Sequence, residues 1–386
     1  MMKPIYLDHN ASTPIEDAVL DTLIRVSRDL FANPSSIEHK LGNAAFVEVE
    51  TARENISRTI GCKPKEIIFT SGATEANNLA IIGTYKHLIN SGRDHFVTSQ
   101  IEHPSVLACF DYLETLGGRV TRLAVNEDGI VSTKDLENCI DTQTGLVSVM
   151  AANNETGVLQ PTSELGTLCE DAGALFHTDY SQATAYIPID LKSAPIHLAS
   201  FSGHKAYAPK GVGFLYRSLR KPRVNIEPIL LGGGQENGLR SGTYNTPAIA
   251  ALGKAFELIE RSRTKDSANI ADTRDLLEIE LKKRIHGLHF NGQHSARLPN
   301  TTSISIDGIE PLALMQKLKN DLVFSASSAC STGKVDTSHV LLAMFGECSR
   351  SREAFRLGLG KHTNLNISHI VELFESAVRD LRQQSL

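Results

Sequence analysis

The sequence lacks the features that mark several common classes of protein. No apolar stretch approaches the ~18 consecutive residues of a membrane-spanning helix, and the segment Met1 to Asp8 contains no signal-peptide core. The six cysteines form no CxxC pair, which argues against a zinc site, and Lys and Arg form no long basic block. The sequence therefore predicts no membrane span, no metal site, no direct nucleic-acid binding and, with reduced thiols, a cytoplasmic location.

What is present is typical of a folded chain of 386 residues, with 41% hydrophobic and 22% charged residues, and the length predicts two domains. Its first two thirds alternate between helical spacing and short apolar runs. Helices are predicted over 15–29, 44–60, 73–90, from Pro104 and over 163–172, and strands over 67–69, 95–98, 146–150, 174–177, 197–201 and 212–216. This alternation predicts an α/β fold with a mainly parallel sheet that helices cover on both faces.

The pattern changes after about residue 250. Two long helical stretches, 247–263 and 268–285, precede an alternating strand over 301–306, and a last helix is predicted over 366–383. These elements predict a smaller α+β domain, with the boundary inside the first of the two long helices.

Two charged residues follow apolar strands, where open α/β sheets place their ligands. Lys205 stands among small and hydroxylic residues in Ser200 to Lys205, and a desolvated lysine there could form a Schiff base. Asp179 ends another strand and could hold a pyridinium nitrogen protonated. The alternatives are a solvated surface lysine and an aspartate that only caps a helix.

Two further sites stand where a strand leads into a helix. In Ser71-Gly72-Ala73-Thr74 a strand meets the start of a helix, whose free N–H groups suit a phosphate, although a plain helix cap explains the residues too. His103 precedes a helix that starts with proline. Its ring could stack on a flat cofactor, or it could be a packed core histidine.

Near the C-terminus, one cysteine and one arginine could take part in chemistry. Cys330 lies in a run of small polar residues close to Lys334, which would favour a reactive thiolate. It could also be an incidental loop cysteine, and Cys348 is a rival on the same argument. Arg356 interrupts an apolar run and needs an anionic partner, either a structural acid or a substrate carboxylate.

Taken in order, these segments closely resemble the cysteine desulfurases, a family of fold-type I pyridoxal-phosphate enzymes, in the branch of the nitrogenase and housekeeping iron–sulfur enzymes. The matching segments are Tyr6 to Ala11, Asn33 to Ser36, Ser71 to Glu75, Glu102-His103, Asn153 to Glu155, His177 to Gln182, Ser200 to Lys205, Gly232 to Glu236, Arg240 to Thr243 and Ser328 to Cys330. The resemblance implies a large cofactor domain over 15–255 and a small domain, formed by 1–14 and 256–386, that carries a mobile Cys330 loop.

The resemblance also implies a role for each matching residue. Lys205 would bind pyridoxal phosphate covalently, Asp179 would pair with its ring nitrogen, and Cys330 would be the nucleophile. Further implied contacts are His103 stacking on the ring, Gln182 on its hydroxyl, Ala73, Thr74, Ser202 and His204 on the phosphate, Thr243 on the phosphate of the second subunit of a homodimer, Asn154 beside the cofactor, and Asn33, Asn154 and Arg356 on the substrate carboxylate.

The implied reaction takes sulfur from L-cysteine, releases L-alanine and leaves a persulfide on Cys330 for an acceptor protein. The acceptor's pathway stays open between iron–sulfur cluster assembly, tRNA thiolation and DNA phosphorothioation. The alternatives are a selenocysteine lyase, an aminotransferase and a degenerate assembly platform without activity. Tyr180-Ser181 replaces the usual Ala-Thr, so packing beneath the cofactor ring is expected to differ, and the surroundings of Cys330 and Arg356 also depart from the family pattern.

Overall fold

The computed structural model describes residues 4–326, 337–361 and 365–384. The strands in these residues are β1 Ile5–Tyr6, β2 Ile67–Thr70, β3 His95–Ser99, β4 Arg119–Leu123, β5 Thr144–Ser148, β6 Leu175–Asp179, β7 Leu198–Ser202, β8 Gly213–Arg217, β9 Leu288–Asn291, β10 Thr301–Ile306, β11 Leu322–Val323, β12 Ser325–Ala326 and β13 Ala354–Gly358. The helices are α1 Asp17–Asp29, α2 Lys40–Thr59, α3 Ala73–Asn90, α4 Pro104–Thr115, α5 Thr133–Cys139, α6 Thr162–Ala172, α7 Thr246–Arg284, α8 Pro311–Leu318, α9 His339–Phe345, α10 Ser349–Arg352 and α11 Ile367–Gln384.

A seven-stranded sheet, in the order β2-β8-β7-β6-β5-β3-β4, forms the centre of the larger part of the chain. The strands β7, β6, β5, β3 and β4 run parallel, and β8 is antiparallel to both of its neighbours. The predicted α/β fold with a mainly parallel sheet is confirmed.

The central strands β3, β5, β6 and β7 are buried along their whole length, so both faces of the sheet are covered there. Successive side chains of a strand point to opposite faces. In β5 and β6, Val147 and Phe176 therefore pack into one core, while Leu146 and Leu175 pack into a second core with α3 and α4.

The smaller part of the chain is built around a four-stranded antiparallel sheet, in the order β12-β13-β10-β9. Its core joins Leu7, near the start of the chain, to side chains of the strands β9, β10 and β13 and of helices α7, α8 and α11. The two helices predicted over 247–263 and 268–285 are one continuous helix, α7, so that prediction of a break is wrong. Residues 264–267 contain neither proline nor glycine, and nothing there interrupts the helix. The domain boundary at 255/256 falls inside α7 and stays a prediction.

No helix in the described part of the chain combines the length and the apolar character that crossing a membrane requires. The carboxyl ends of β3, β5, β6 and β7 meet at one edge of the large sheet, because these strands are parallel. Loops that leave this edge carry most of the residues predicted to be functional.

The contact between α2 and α7 generates a stability prediction. A Cβ atom at Gly253 would lie 2.4 Å from the Ala52 Cα atom, so the two helices touch backbone to backbone. We expect Gly253→Ala to destabilise the fold by about 1–3 kcal/mol, since overpacking outweighs the gain in helix propensity. Thermal unfolding measures the change. The control Thr264→Ala, at an exposed position of the same helix, should be neutral or slightly stabilising. An unfolding temperature of Gly253→Ala at or above that of the wild type would contradict the close contact.

Candidate active site

A cleft of about 470 Å³ opens at the carboxyl edge of the large sheet. Its walls come from the turns after β2, β3, β5, β6 and β7, and from β13 of the small sheet. Predicted site residues that line it are Ala73, Thr74, His103, Asn154, Asp179, Gln182, Ser202, His204, Lys205 and Arg356. The structure therefore brings together side chains that lie almost 300 residues apart in the sequence.

Lys205 ends a short 3₁₀ turn, Gly203–Lys205, directly after β7. Burial lowers the pKa of its amine from the ordinary 10.5 to about 8, although the negative charge of Asp179 acts in the opposite direction. A substantial fraction of the amine is therefore neutral near physiological pH. A neutral, buried amine at the wall of a cleft is suited to nucleophilic attack on an aldehyde, which a solvated surface lysine is not.

Asp179 is the last residue of β6 and is held by two hydrogen bonds. Asn77 Nδ2 donates to its Oδ2 atom at 2.8 Å, and the Ser181 backbone N–H donates to Oδ1 at 2.9 Å. Burial alone would raise the pKa of Asp179, but the bonds from Ser181 and Asn77 hold it below the ordinary value. The carboxylate therefore stays ionised and can stabilise a proton on a ring nitrogen.

His103 is the N-cap residue of α4, and its ring faces the cleft. Its Nδ1 atom accepts the Ser105 backbone N–H at 3.1 Å and lies 2.8 Å from Ser105 Oγ. Burial, and next the charge of Lys205, lower its pKa, so the neutral ring predominates at neutral pH. Because Nδ1 is an acceptor, the proton of the neutral ring is on Nε2.

A hydrogen-bonded chain connects the histidine to the aspartate. Asn77 Nδ2 donates both to Ser105 Oγ at 2.9 Å and to Asp179 Oδ2, and Ser105 in turn contacts His103. No role was predicted for Asn77, because the sequence does not show that this side chain is buried. In the structure it has no exposed surface one turn into α3, and a buried polar group must find a partner.

The first turn of α3 provides a binding site for an anion. Gly72 caps the helix without a side-chain hydrogen bond, and the first backbone N–H groups belong to Ala73 and Thr74 at the cleft wall. A Cβ atom at Gly213 would lie 2.7 Å from the Gly72 Cα atom, so this approach requires glycine. Burial, and then the charges of Lys205 and Lys210, lower the pKa of His204 to about 4, which leaves it neutral. These features suit a phosphate.

Arg356 lies in β13 and extends towards the cleft from the opposite side. Its Nη2 atom pairs with Asp8 Oδ1 at 2.8 Å, and its Nη1 donates to the Asn154 carbonyl oxygen at 2.7 Å. The sequence left a structural acid and a substrate carboxylate as its possible partners. The structure supplies the acid, Asp8, and keeps the arginine at the cleft wall.

Some expected site residues do not line the cleft of this chain. Asn33 is exposed, and its Oδ1 accepts the Ser35 N–H. Thr243 is also exposed, at the end of a loop held by Glu236, whose carboxylate pairs with Arg53 at 2.7 Å. The roles of Asn33 and Thr243 stay predictions.

Of the remaining candidates, Cys330 and Lys334 lie outside the described residues, and the half-buried Cys348 does not line the cleft. Tyr180 points away from the cleft, so the altered packing expected beneath a cofactor ring does not arise from its side chain. Its hydroxyl donates to the Pro188 carbonyl, and its ring packs 5.5 Å from that of Phe201 in the core.

The donor set of the cleft fits pyridoxal phosphate. A buried amine can bind the aldehyde, an ionised carboxylate can pair with the ring nitrogen, and the first turn of α3 can bind the phosphate. The Ser181 side chain is also buried beside the cleft, where it acts with the Ser181 backbone N–H to keep the pKa of Asp179 low.

Comparisons with known proteins agree with this chemistry. The family model "Aminotransferase class-V" matches residues 5–363. A cysteine desulfurase IscS of Rickettsia africae is 41% identical over 384 residues, covering 99% of this chain and 93% of the relative. A solved NifS-like protein superposes with a TM-score of 0.90 at 34% identity, covering 98% of this chain and all of the other. A structure described as SspA in complex with cysteine superposes with a TM-score of 0.80 at 33% identity, covering 93% and 99% of the two chains.

Enzymes of this kind depend on pyridoxal phosphate, and the residues that would bind it are present in the cleft. The chain belongs to the class-V aminotransferase family and, within it, to the cysteine desulfurases.

Proposed function

We propose that this enzyme removes the sulfur atom of L-cysteine, releases L-alanine and carries the sulfur as a persulfide on Cys330 to an acceptor protein. The observation that carries the proposal is a buried lysine amine beside an ionised aspartate in a cleft that Arg356 also lines. Neither a lyase for selenocysteine nor an aminotransferase is favoured by the relatives, which are named as cysteine desulfurases. A degenerate platform is disfavoured because Lys205, Asp179 and His103 are all in place.

Pyridoxal phosphate, when bound, supplies an electron sink that makes the Cα proton of the substrate acidic. The residues of this chain bind the cofactor and the substrate and transfer the protons. Lys205 first binds the cofactor and, once released as a free amine, takes the Cα proton and returns it. Its low pKa suits both tasks, because the neutral amine is the base and the nucleophile.

The substrate carboxylate would be bound by Arg356 with Asn154 beside it. The Nη1 and Nη2 atoms of Arg356 each use one N–H donor, on the Asn154 carbonyl and on Asp8, so each has a second N–H available to a carboxylate in the cleft. His103, with its proton on Nε2, can give a proton to the sulfur or to the departing carbon and take it back. The Cys330 thiolate then attacks the substrate sulfur as the bond from sulfur to Cβ breaks.

The position of Cys330 in the sequence supports this assignment. Ala326, which ends β12, pairs with Phe355, the neighbour of Arg356 in β13. Cys330 follows four residues later, and four residues span at most about 14 Å. This spacing is short enough for the Cys330 thiol to reach the cleft, whereas Cys348 is the N-cap of α10 and does not line the cleft.

A homodimer is part of the proposal. Several large apolar side chains of α1, α2 and the segment between them are exposed, namely Leu20, Ile24, Phe31, Ile37 and Leu41. Exposed apolar clusters of this kind are typical of interfaces. In a dimer, Thr243 would bind the phosphate of the second subunit, which accounts for its exposure in one chain. A cytoplasmic location is proposed as well.

The acceptor is expected to be a protein of iron–sulfur assembly, of tRNA thiolation or of DNA phosphorothioation. Transfer from enzyme loaded with radioactive cysteine sulfur, followed by identification of the labelled protein in a cell extract, would distinguish the three. Label that stays on the enzyme in the presence of extract would count against transfer to a protein.

The pKa of Lys205 generates a prediction about pH. Only the neutral amine attacks an aldehyde, and a pKa of about 8 means that this form increases as pH rises through 8. The rate at which cofactor-free enzyme binds pyridoxal phosphate covalently should therefore rise with pH and level off above a midpoint near 8. Stopped-flow absorbance measures this rate. The control Lys192→Ala, at an exposed lysine, should keep the midpoint, and Lys205→Arg should abolish the reaction. A midpoint near 10 would show that Lys205 is not desolvated.

The assignment of the nucleophile generates another prediction. Cys330→Ser should lose persulfide formation by at least about 100-fold, because a hydroxyl cannot replace the thiolate that accepts sulfur. It should still bind the cofactor, since no cofactor contact depends on the thiol. Cys348→Ser is the matched control and should keep wild-type activity. Alkylation and mass spectrometry after one turnover with L-cysteine locate the persulfide. A persulfide on Cys348 would overturn the assignment.

A further inference from the structure

Two described segments flank residues 327–336, which contain Cys330. On one side β12 ends at Ala326, and on the other α9 begins at His339 with Ser338 as its N-cap. The side chains of both flanks form hydrogen bonds to acids from distant parts of the chain. One acid, Asp8, binds Arg356, and the other, Glu155, follows Asn154. Both Arg356 and Asn154 line the cleft.

The first flank is attached through Asp8. Ser325 Oγ donates to Asp8 Oδ2 at 2.8 Å, and the other oxygen of the same carboxylate binds Arg356. Ser325 and Arg356 are directly opposite each other in the pairing of β12 with β13. Asp8 therefore joins the strand that leads to Cys330 to the arginine of the cleft wall, with only 14% of its side chain exposed.

The second flank is attached through Glu155. Ser338 Oγ donates to Glu155 Oε2 at 2.5 Å, and Glu155 follows Asn154, which lines the cleft. His339 Nε2 lies 2.9 Å from the carbonyl oxygen of Glu102, the residue before His103. The start of α9 is thus bound to two turns that form the cleft.

Below these polar contacts, apolar side chains hold α9 against the large sheet. Val340, Leu341 and Met344 of the helix share a small core with Ile101 and Met150. Met150 itself lines the cleft. The position of α9 is therefore fixed by packing, and the Ser338–Glu155 bond fixes where the chain leaves it.

We propose that Asp8 and Glu155 are positioning residues, which fasten the two flanks of the Cys330 segment to the part of the cleft wall that Arg356 and Asn154 form together. This inference rests on the proposed function, because it concerns the meeting of the Cys330 thiol with the substrate sulfur. Cys330 is four residues from Ala326 and eight from Ser338. When Ser325 and Ser338 are held in place, these few residues limit how far the thiol can move from the cleft. A short connection raises the effective concentration of the thiol at the substrate sulfur.

The serines are the right residues to change, because replacing Asp8 would also release Arg356. Ser325→Ala removes the first bond and leaves the Asp8–Arg356 ion pair in place. Ser338→Gly removes the hydroxyl that binds Glu155, and glycine is well tolerated as the N-cap of α9. Ser325→Thr and Ser338→Thr keep the hydroxyl in each place and serve as rescue variants.

Two rates are measured for each holoenzyme. One is the formation of persulfide on Cys330 after mixing with L-cysteine. The other is the exchange of the Cα proton of L-alanine with deuterium, which requires the cofactor and Lys205 but no thiol. We expect Ser325→Ala and Ser338→Gly to slow persulfide formation by about tenfold and to leave the exchange unchanged. The threonine variants should form persulfide at the wild-type rate.

The control Ser262→Ala removes a serine–carboxylate bond of 2.6 Å to Asp266, on α7 and away from the cleft. It should change neither rate. Wild-type persulfide formation in both anchor variants would overturn the inference, and so would an equal fall of both rates, which would indicate a merely structural role. A wild-type enzyme that forms no persulfide on Cys330 would instead refute the proposed function.

Discussion

A lysine amine buried beside an ionised aspartate is the constraint on which the rest of the site depends. Burial disfavours the charged form of both groups. Hydrogen bonds from Ser181 and Asn77 outweigh this effect for the carboxylate, whereas the charge of Asp179 offsets it only in part for the ammonium of Lys205. The pair is therefore an anion next to an amine that loses its proton easily. The two groups meet because β6 and β7 are parallel neighbours, which brings their carboxyl ends to the same edge of the sheet. Asp179 is buried, whereas an aspartate that only caps a helix is ordinarily at the surface.

The amide of Asn77 couples the two sides of the cleft. One NH₂ group contacts both the Asp179 carboxylate and Ser105, and Ser105 orients the ring of His103. Neither the histidine nor the aspartate can shift without straining the same amide, so their separation is set by α3. The first turn of that helix also supplies the free N–H groups at Ala73 and Thr74. Helix α3 thus positions the anion site, the Asp179 carboxylate and the His103 ring, each of which would bind a different part of one cofactor. Groups that are preorganised in this way need no reorganisation free energy during the reaction.

The sequence predicted the site residues whose signal is local and missed those whose partner is distant. Lys205, Asp179 and His103 each follow an apolar run that reads as a strand, and their position at the carboxyl edge follows from the parallel sheet. By contrast, Asp8 binds Arg356 across 348 residues and Glu155 binds Ser338 across 183, and no spacing rule connects such pairs. The continuous helix α7 was missed for the converse reason. Two stretches were predicted, 247–263 and 268–285, whereas residues 264–267 contain neither proline nor glycine and the helix continues where tertiary packing supports it.

The pairing of Arg356 with Asp8 bears on how the enzyme selects its substrate. A buried guanidinium without an acid nearby would carry a large desolvation cost, so the acid is needed for the empty cleft to be stable. The Arg356–Asp8 ion pair then has little net charge. The binding free energy of a substrate carboxylate therefore comes less from long-range attraction than from hydrogen bonds to the remaining N–H donors of Arg356. One N–H of Nη1 and one of Nη2 are engaged by the Asn154 carbonyl and by Asp8, which fixes the plane of the guanidinium and the directions of the N–H donors that remain. Recognition therefore depends on the exact place at which the carboxylate meets the arginine. A site of this kind selects a substrate by the orientation in which its carboxylate is held.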